Sequence, residues 1–192
     1  MASELKTNLI TPASSTTVTI GESGDTISCG GTATGFGGGK ILQVQSATST
    51  IPFFDTTNSA FVDLTGMTVN ITPSATSSTI WVTGKISAHP GDNDYGGVKI
   101  VRDSTDIGIG TGSLSSRTAL HGSWWVGTTY ASTEIPLSWI DSPSTTSQVT
   151  YKVQGYAGGS DGVYMNQTNG DADNGDTGRH VSTIIVLEID GS

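Results

Sequence analysis

Acidic side chains in one glycine-rich stretch are the residues of this chain best suited to chemistry. The stretch at 169–176 reads NGDADNGD and brings Asp171, Asp173 and Asp176 close together. Carboxylate oxygens in a flexible loop are the ligands that Ca²⁺ prefers. The EF-hand order fails, because the sixth position counted from Asp171 is Asp176 rather than Gly, and the twelfth is Ser182 rather than Glu. Asp, Asn and Gly also favour solvated turns, so a calcium site and an ordinary exposed loop both stay open.

Aromatic residues offer a second kind of site. Trp124 and Trp125 are adjacent, so on a strand they point to opposite faces, and only one of them can lie in the core. The other must meet solvent, a second sheet, a neighbouring subunit or a ligand such as a sugar ring. With Tyr95, Tyr130 or Trp81 nearby it would form a platform for a glycan. We therefore take Tyr95, Trp124, Trp125 and Tyr130 as candidate receptor or glycan contacts.

Signatures of catalysis are weak in this sequence. The glycines at 35–39 precede Lys40, but Thr34 replaces the first glycine of a phosphate-binding loop and Ile41 replaces its Ser or Thr. His89, His121 and His180 do not show the spacing of metal ligands. A Ser–His–Asp triad stays open in a serine-rich chain. We predict a non-enzymatic protein without catalytic residues, whose one candidate cofactor is calcium.

Composition indicates an all-β protein with few charged partners. The 192 residues include 26 Gly, only 13% are charged, and the formal net charge is −9. Eight Lys and Arg residues cannot form a basic patch, so we expect no nucleic-acid binding. The single cysteine, Cys29, excludes an internal disulfide. The sequence has no signal-peptide or membrane-spanning stretch, which predicts synthesis in a host cytoplasm and no membrane insertion.

The chain divides at a glycine-rich linker. Residues 1–39 contain short β-prone pieces at 16–20 and 25–29 with almost nothing large to bury, and they end in the glycines at 35–39. Such a segment cannot offset its ordering entropy alone, so we predict an extended arm that anchors the protein or pairs with other chains. Residues 40–192 then form the head domain.

The head shows strand-like runs separated by turn signals about every ten residues, the pattern of a sandwich or jelly roll. We expect a bend at Gly66 and a hairpin turn at 158–162. The last strand is so apolar that we expect it to be central and buried on both faces. The predicted strands span 40–47, 61–71, 79–88, 97–102, 118–126, 133–141, 148–156, 163–165 and 180–189. The predicted fold is therefore an antiparallel β-sandwich of jelly-roll type.

Several stretches resemble a known group of proteins. They include ITPASSTTVTIGESGDTI at 10–27, GTATGFG at 31–37, FVDLTGMTVNITP at 61–73 and STIIVLEI at 182–189. They are similar to virion structural and tail-fibre-like proteins of marine bacteriophages. The resemblance implies a phage particle component that is trimeric and has a β-sandwich head. The aspartate-rich loop at 169–176 is longer than such proteins usually have.

The sequence as a whole predicts a structural protein on the virion surface. A homotrimer would be closed by the apolar faces of adjacent sandwiches, and residues 1–39 would bind other virion proteins. Host attachment through several weak sites, in the manner of a short tail fibre, is the main hypothesis. A capsid decoration or head-fibre protein and a calcium-dependent carbohydrate-binding module are the alternatives. The loops in which we expect host contact are 92–95, 110–117, 158–161 and 169–179.

Overall fold

Residues 41–159 and 161–191 are described by a computed structural model, and every regular element among them is a β-strand. The strands are β1 (Ile41–Ser49), β2 (Phe53–Asp55), β3 (Phe61–Ile71), β4 (Thr79–His89), β5 (Asp94–Arg102), β6 (Thr105–Ile107), β7 (Gly122–Val126), β8 (Thr133–Asp141), β9 (Val149–Ala157), β10 (Val163–Met165) and β11 (Ser182–Ile189). Within the described residues, no helix has the length and apolarity needed to cross a membrane. The predicted arm at 1–39 lies outside them, so its anchoring role stays a prediction.

The first sheet has the main order β1-β11-β4-β8, and all its pairs are antiparallel. β11 and β8 both pair with residues 80–85 of β4, so they lie on opposite sides of it. The short β10 continues the line of β11 along the end of β4, where Tyr164 pairs with His89. β2 pairs with β10.

The second sheet has the main order β3-β9-β5-β7 and is also antiparallel. β9 and β7 both pair with residues 96–98 of β5, so they lie on opposite sides of it. β6 pairs with the end of β5 on Ile100–Arg102. β3 shifts register between Asp63 and Thr68, and Gly66 there has a φ of 84°, so the bend predicted at this glycine is confirmed.

The two sheets together form a jelly roll. Without the three-residue strands β2, β6 and β10, eight strands remain in the described part of the chain, and the first of these, β1, pairs with the last, β11. β3 pairs with β9, β4 with β8 and β5 with β7. A long hairpin wrapped into two facing sheets gives this nested pairing. The predicted all-β, antiparallel, jelly-roll-like sandwich is therefore confirmed.

The core lies between the sheets and follows the alternation of the strands. β4 turns Ile80, Val82 and Ile86 inward, and β9 turns Tyr151 and Val153 inward from the other sheet. These five side chains are fully buried. Removing them from water supplies the main driving force for holding the sheets together.

A partly buried ion pair also joins the two sheets. Arg102 of β5 donates from Nη1 to both carboxylate oxygens of Asp141 on β8, at 2.8 Å each. The hydroxyl of Tyr151 on β9 donates to Asp141 Oδ2 at 2.6 Å. Burial and this hydrogen bond raise the pKa of Tyr151, so the hydroxyl stays a donor. The carboxylate is thereby satisfied by partners from the facing sheet.

Two predictions about connections and burial are wrong. The stretch at 158–162 is not a hairpin turn, because β9 belongs to the second sheet and β10 to the first. β11 lies between β1 and β4 as an interior strand, but only one of its faces is buried. Ile184 and Val186 are fully buried, whereas Ile185 and Leu187 on the outer face are partly exposed. The short strands β2 and β6 were not predicted.

Candidate functional site

An aromatic row crosses the outer face of the second sheet. Trp125 of β7 lies opposite Tyr95 of β5 in the strand register, and these residues are 65% and 49% exposed. The ring centroid of Tyr156 on β9 lies 6.1 Å from that of Tyr95 and 5.2 Å from that of Phe61 on β3. We call Trp125, Tyr95, Tyr156 and Phe61 the aromatic row. Its exposed end, Trp125 and Tyr95, can stack on a flat ligand.

Two glycines set the position of the exposed rings. A Cβ atom on Gly158 would collide with the ring of Tyr95, and one on Gly127 would collide with the ring of Trp125. Each ring therefore lies across a stretch of backbone that has no side chain. This packing restricts the rotamers of both rings while leaving their outer faces in solvent.

Hydroxyl groups and one cation accompany the row. The hydroxyl oxygens of Tyr95 and Tyr156 are 3.5 Å apart. Hydrogen bonds from Tyr95 and Thr118 lower the pKa of Tyr156, and the bond between the two hydroxyls raises the pKa of Tyr95. Lys99 Nζ lies 4.0 Å from the ring centroid of Phe61, a cation–π contact at the far end of the row. The row thus combines ring faces with polar hydrogen-bonding groups.

Loops at the end of the sandwich that lies beside Tyr95 are joined by hydrogen bonds. Gly159 N donates to Asp94 Oδ2 at 2.7 Å, and Asp92 N donates to Asp161 Oδ2 at 3.1 Å. Thr129 Oγ1 donates to Asp92 Oδ2 at 2.6 Å. We call residues 90–93, 127–132, 158–162 and 166–181, apart from the undescribed residue 160, the loop end. These contacts hold three separate connections together beside Tyr95.

The predicted calcium ligands lie in the exposed part of the 166–181 loop. Asp171, Asp173 and Asp176 are all exposed, and Asp171 forms an ion pair with Arg179. Asp176 N donates to Asn174 Oδ1 at 2.9 Å, a local turn contact. Among the described residues no group of three or more His, Cys, Asp or Glu is arranged to hold a metal ion. Calcium binding in this loop therefore stays a prediction from the sequence.

The structure separates the predicted aromatic contacts. Trp124 points into the core and is 6% exposed, so Trp125 is the tryptophan of this pair that faces solvent. Tyr130 is exposed in the 127–132 loop, where Gly170 N donates to Thr129 O at 3.3 Å. The structure thus brings Tyr95 and Trp125 together, whereas Tyr130 belongs to the adjoining loops.

The predicted contact loops fall into two groups. Loops 92–95, 158–161 and 169–179 contribute to the loop end, in their described residues. The 110–117 loop belongs instead to the β6–β7 connection, which runs beside the second sheet and brings Leu120 against Gly97. Thr118 of the same connection hydrogen-bonds to Tyr156, so the connection also reaches the aromatic row.

Sequence reasoning missed Phe61 and Tyr156. A period-two reading of β9 would have placed Tyr156 on the face opposite Tyr151 and Val153, because it is an odd number of positions from both. Phe61 opens β3 and faces Tyr156 directly in the register. A groove of about 290 Å³ beside the β3 bend was also missed, and its lining includes Ile51, Phe53 and Gly66.

Two of the three histidine rings, those of His89 and His121, contact backbone groups, whereas His180 Nε2 lies 3.1 Å from Ser132 Oγ. His89 is fully buried, with Nε2 3.0 Å from Thr128 O, and its Nδ1 accepts from Gly91 N at 2.9 Å. His121 Nε2 accepts from Ser138 N at 3.2 Å, so its Nδ1 donates to Gly108 O at 2.8 Å. These contacts give both rings a structural role.

One serine motif in the sequence can be judged from the elements on either side of it. Residues 158–162 read GGSDG and match the spacing of a nucleophile elbow. That motif requires a strand followed by a sharp turn and a helix. Here the stretch joins two strands, β9 and β10. The spacing therefore gives no support for hydrolase chemistry.

Comparisons with known proteins give only distant structural similarity. No protein-family model and no curated protein matches the chain. A structure of infectious bursal disease virus, Gx strain, is 14% identical with a TM-score of 0.43, covering 78% of this chain and 33% of that one. A mutant VP2 protein of infectious bursal disease virus, in derived T=1 particles, is 15% identical with a TM-score of 0.38, covering 76% and 36%. The chain spans about a third of these structures' length, and neither similarity transfers a function to it.

Proposed function

We propose that this chain is a non-enzymatic structural protein on the surface of a bacteriophage particle, where it contributes to host attachment as a short tail-fibre-like component. The observation that carries the proposal is the exposed end of the aromatic row, Trp125 and Tyr95, beside hydrogen-bonded loops on a rigid sandwich. Recognition surfaces are typically built from loops on such scaffolds. The resemblance of several stretches to phage structural proteins supplies the context of a particle.

The chemistry of the row favours a sugar or a similar ring as the contacted group. Flat aromatic faces can stack on the apolar face of a hexose, and the hydroxyls of Tyr95 and Tyr156 can exchange hydrogen bonds with its polar edge. Each such contact is weak. Many copies on one particle would make the attachment strong through avidity.

Adsorption of particles to host cells tests this proposal. Particles carrying Trp125→Ala should adsorb roughly tenfold more slowly or worse, because each lost stacking contact is multiplied over the copies engaged. Ile51→Ala is the matched control, since Ile51 is a 73% exposed apolar residue outside the row. Equal adsorption of Trp125→Ala and unaltered particles, at equal copy number, would remove the attachment role.

A capsid decoration or head-fibre protein is the alternative within the same particle. Jelly rolls are common in viral capsid domains, and a fold does not fix a function. Copy number separates the two roles: a count that matches the capsid lattice would favour decoration. Imaging labelled chains on intact particles gives that count together with their position.

A calcium-dependent carbohydrate-binding module is the alternative from another class. Jelly rolls also occur in lectins, and the exposed Asp171, Asp173 and Asp176 are the candidate ligands. Glycan-array binding that a chelator abolishes would favour this module. Binding that is equal with and without chelator would support the aromatic row without a metal.

A further inference from the structure

A second exposed row, made of apolar side chains, crosses the outer face of the first sheet. Val44 of β1 pairs with Leu187 of β11, Leu187 pairs with Trp81 of β4, and Trp81 pairs with Ile140 of β8. Directly paired residues of neighbouring strands share one face, so these four side chains lie side by side. We call them the apolar row. Val44 and Ile140 are more than half exposed, and Trp81 is 37% exposed.

The apolar surface continues to the start of β1. Ile41 and Leu42 are 51% and 49% exposed and lie next to the row. Together with Val44, Trp81 and Ile140 they present on the order of 400 Å² of apolar surface, the range in which a patch marks an interaction site. The side chains in this patch are large and contiguous, unlike the scattered exposed apolar residues of an ordinary surface.

β1 is the edge strand of the same sheet, and β3 of the second sheet lies beside it: Gln43 Nε2 donates to Thr72 O at 2.7 Å, and a Cβ atom on Gly66 would contact Ser49. Among the described residues β1 pairs only with β11, so its other edge is not part of a ladder. Its sequence, ILQVQSATS, has no charge and no proline, the two devices that usually protect an edge strand. A standard interface takes about 800 Å² from each partner, so a contact of that size would include the neighbouring Ser and Thr side chains of β1 as well as the patch.

Charge favours a second copy as the occupant. The chain carries a formal net charge of −9, so two copies repel each other over most of their surface. The outer face of β1, β11, β4 and β8 carries one cation and one anion, Lys85 and Glu134, and these form an ion pair with each other. This neutral, apolar face is where copies of an acidic protein can approach each other at low electrostatic cost.

We propose that a second copy of this chain covers the apolar row and the exposed side chains of the edge strand β1. Val44, Trp81 and Ile140 would form the centre of the contact, and the Lys85–Glu134 pair would lie towards its rim. The proposal deepens the proposed function, because multivalent attachment requires assembled copies. It also assigns the predicted apolar contact between sandwiches to one face of one sheet.

Sedimentation of the full-length chain tests this interface. The unaltered protein should sediment with the mass of two or more chains, and Val44→Lys combined with Ile140→Lys should sediment as a monomer. Both positions are exposed, so the pair of substitutions leaves the core intact, which circular dichroism and urea unfolding will check. Leu114→Lys is the control, because Leu114 is a 40% exposed apolar residue of the 108–121 connection and is not part of the apolar row, and it should keep the unaltered mass.

Three results would overturn the interface. They are a monomeric unaltered protein, an oligomer that survives the double substitution, and an oligomer that Leu114→Lys disrupts equally. The readout is mass rather than host binding. The two proposals can therefore be tested separately. Trp125→Ala tests host attachment in a protein whose oligomer is unchanged, and the double lysine substitution tests the oligomer in a protein whose aromatic row is unchanged.

Discussion

Glu188 is a residue whose ionisation should stabilise the head strongly. It is fully buried on β11. Burial alone would raise its pKa, but hydrogen bonds lower it to about 2. Oε1 accepts from Ser74 N and Oγ at 2.6 Å each and from Ser78 Oγ at 2.7 Å, and Oε2 accepts from Gln43 Nε2 at 2.6 Å. The carboxylate thus joins β1, β11 and the connection after β3.

Glu188→Gln should change how stability depends on pH. A folded pKa of about 2, against an unfolded value of 4.5, means that the ionised group stabilises the fold above about pH 4.5 and that this contribution disappears as the pH falls towards 2. Its full size is on the order of 3 kcal/mol. Urea unfolding of both proteins at a series of pH values measures the difference between their free energies of unfolding. That difference should shrink on acidification, and two parallel pH profiles would contradict the assignment.

The orientation of single side chains could be predicted from the alternation along a strand. Contacts between strands could not be predicted, because they depend on the pairing register. Alternation predicts that Trp124 and Trp125 face opposite ways, but which one is buried depends on the side of β7 that faces the core. Tyr95 and Trp125 meet because β5 and β7 pair in one particular register. Nothing local in the sequence encodes that register. The Arg102–Asp141 pair joins two sheets and is equally non-local.

At the scale of elements, the loop at 166–181 connects β10 and β11, which follow one another along the same side of β4. β10 and β11 both run antiparallel to β4 on the same side of it. Asn166, with a φ of 62°, closes the base of the loop: its carbonyl accepts from His180 N at 3.1 Å, and its side chain accepts from Ser182 Oγ at 2.7 Å. Asn166 Nδ2 also donates to Ser49 O at 2.9 Å. The outer loop therefore projects from a base that is already complete.

Replacing residues 169–179 with a short glycine turn should leave the head folded. The base contacts of Asn166 and Ser182 remain, and shortening a loop changes its closure entropy by less than about 1 kcal/mol. Urea unfolding should show a similar midpoint. Asn166→Ala serves as the contrast and should cost about 2 kcal/mol, because it leaves buried partners unpaired. An unfolded loop-replacement protein would show that the outer loop is part of the core structure.

Strand positions were more predictable than strand connections. The runs at 61–71, 133–141 and 163–165 coincide with β3, β8 and β10, since alternating apolar residues and turn signals bound them. β2 and β6 have three residues each and are too short for a period to appear. The glycines at 158–162 signal a turn but not its partner strand, so the crossing from one sheet to the other could not be read locally. β11 is buried on one face because, among the described residues, only the second sheet packs against it and no layer covers its outer face.

At the scale of the described head, two exposed surfaces lie in different places. The aromatic row is on the second sheet beside the loop end, which follows the end of β4. The apolar row is on the first sheet and crosses β4 near its start, at Trp81. A contact that covers the apolar row therefore leaves Trp125 and Tyr95 exposed. This separation lets one molecule assemble with its neighbours and still present a binding surface.

Deleting residues 1–35 tests the division between arm and head at this scale. The core cluster of the described residues runs from Leu64 to Val186, so the shortened chain should fold with an unchanged urea midpoint. We expect it to be missing from purified particles, because the predicted arm holds the chain to other virion proteins. Immunoblots of particles made with the shortened and full-length chains measure incorporation, and a folded but unincorporated head is the expected result. Incorporation at the normal level would mean that the head itself, through a surface such as the apolar row, attaches the protein to the virion.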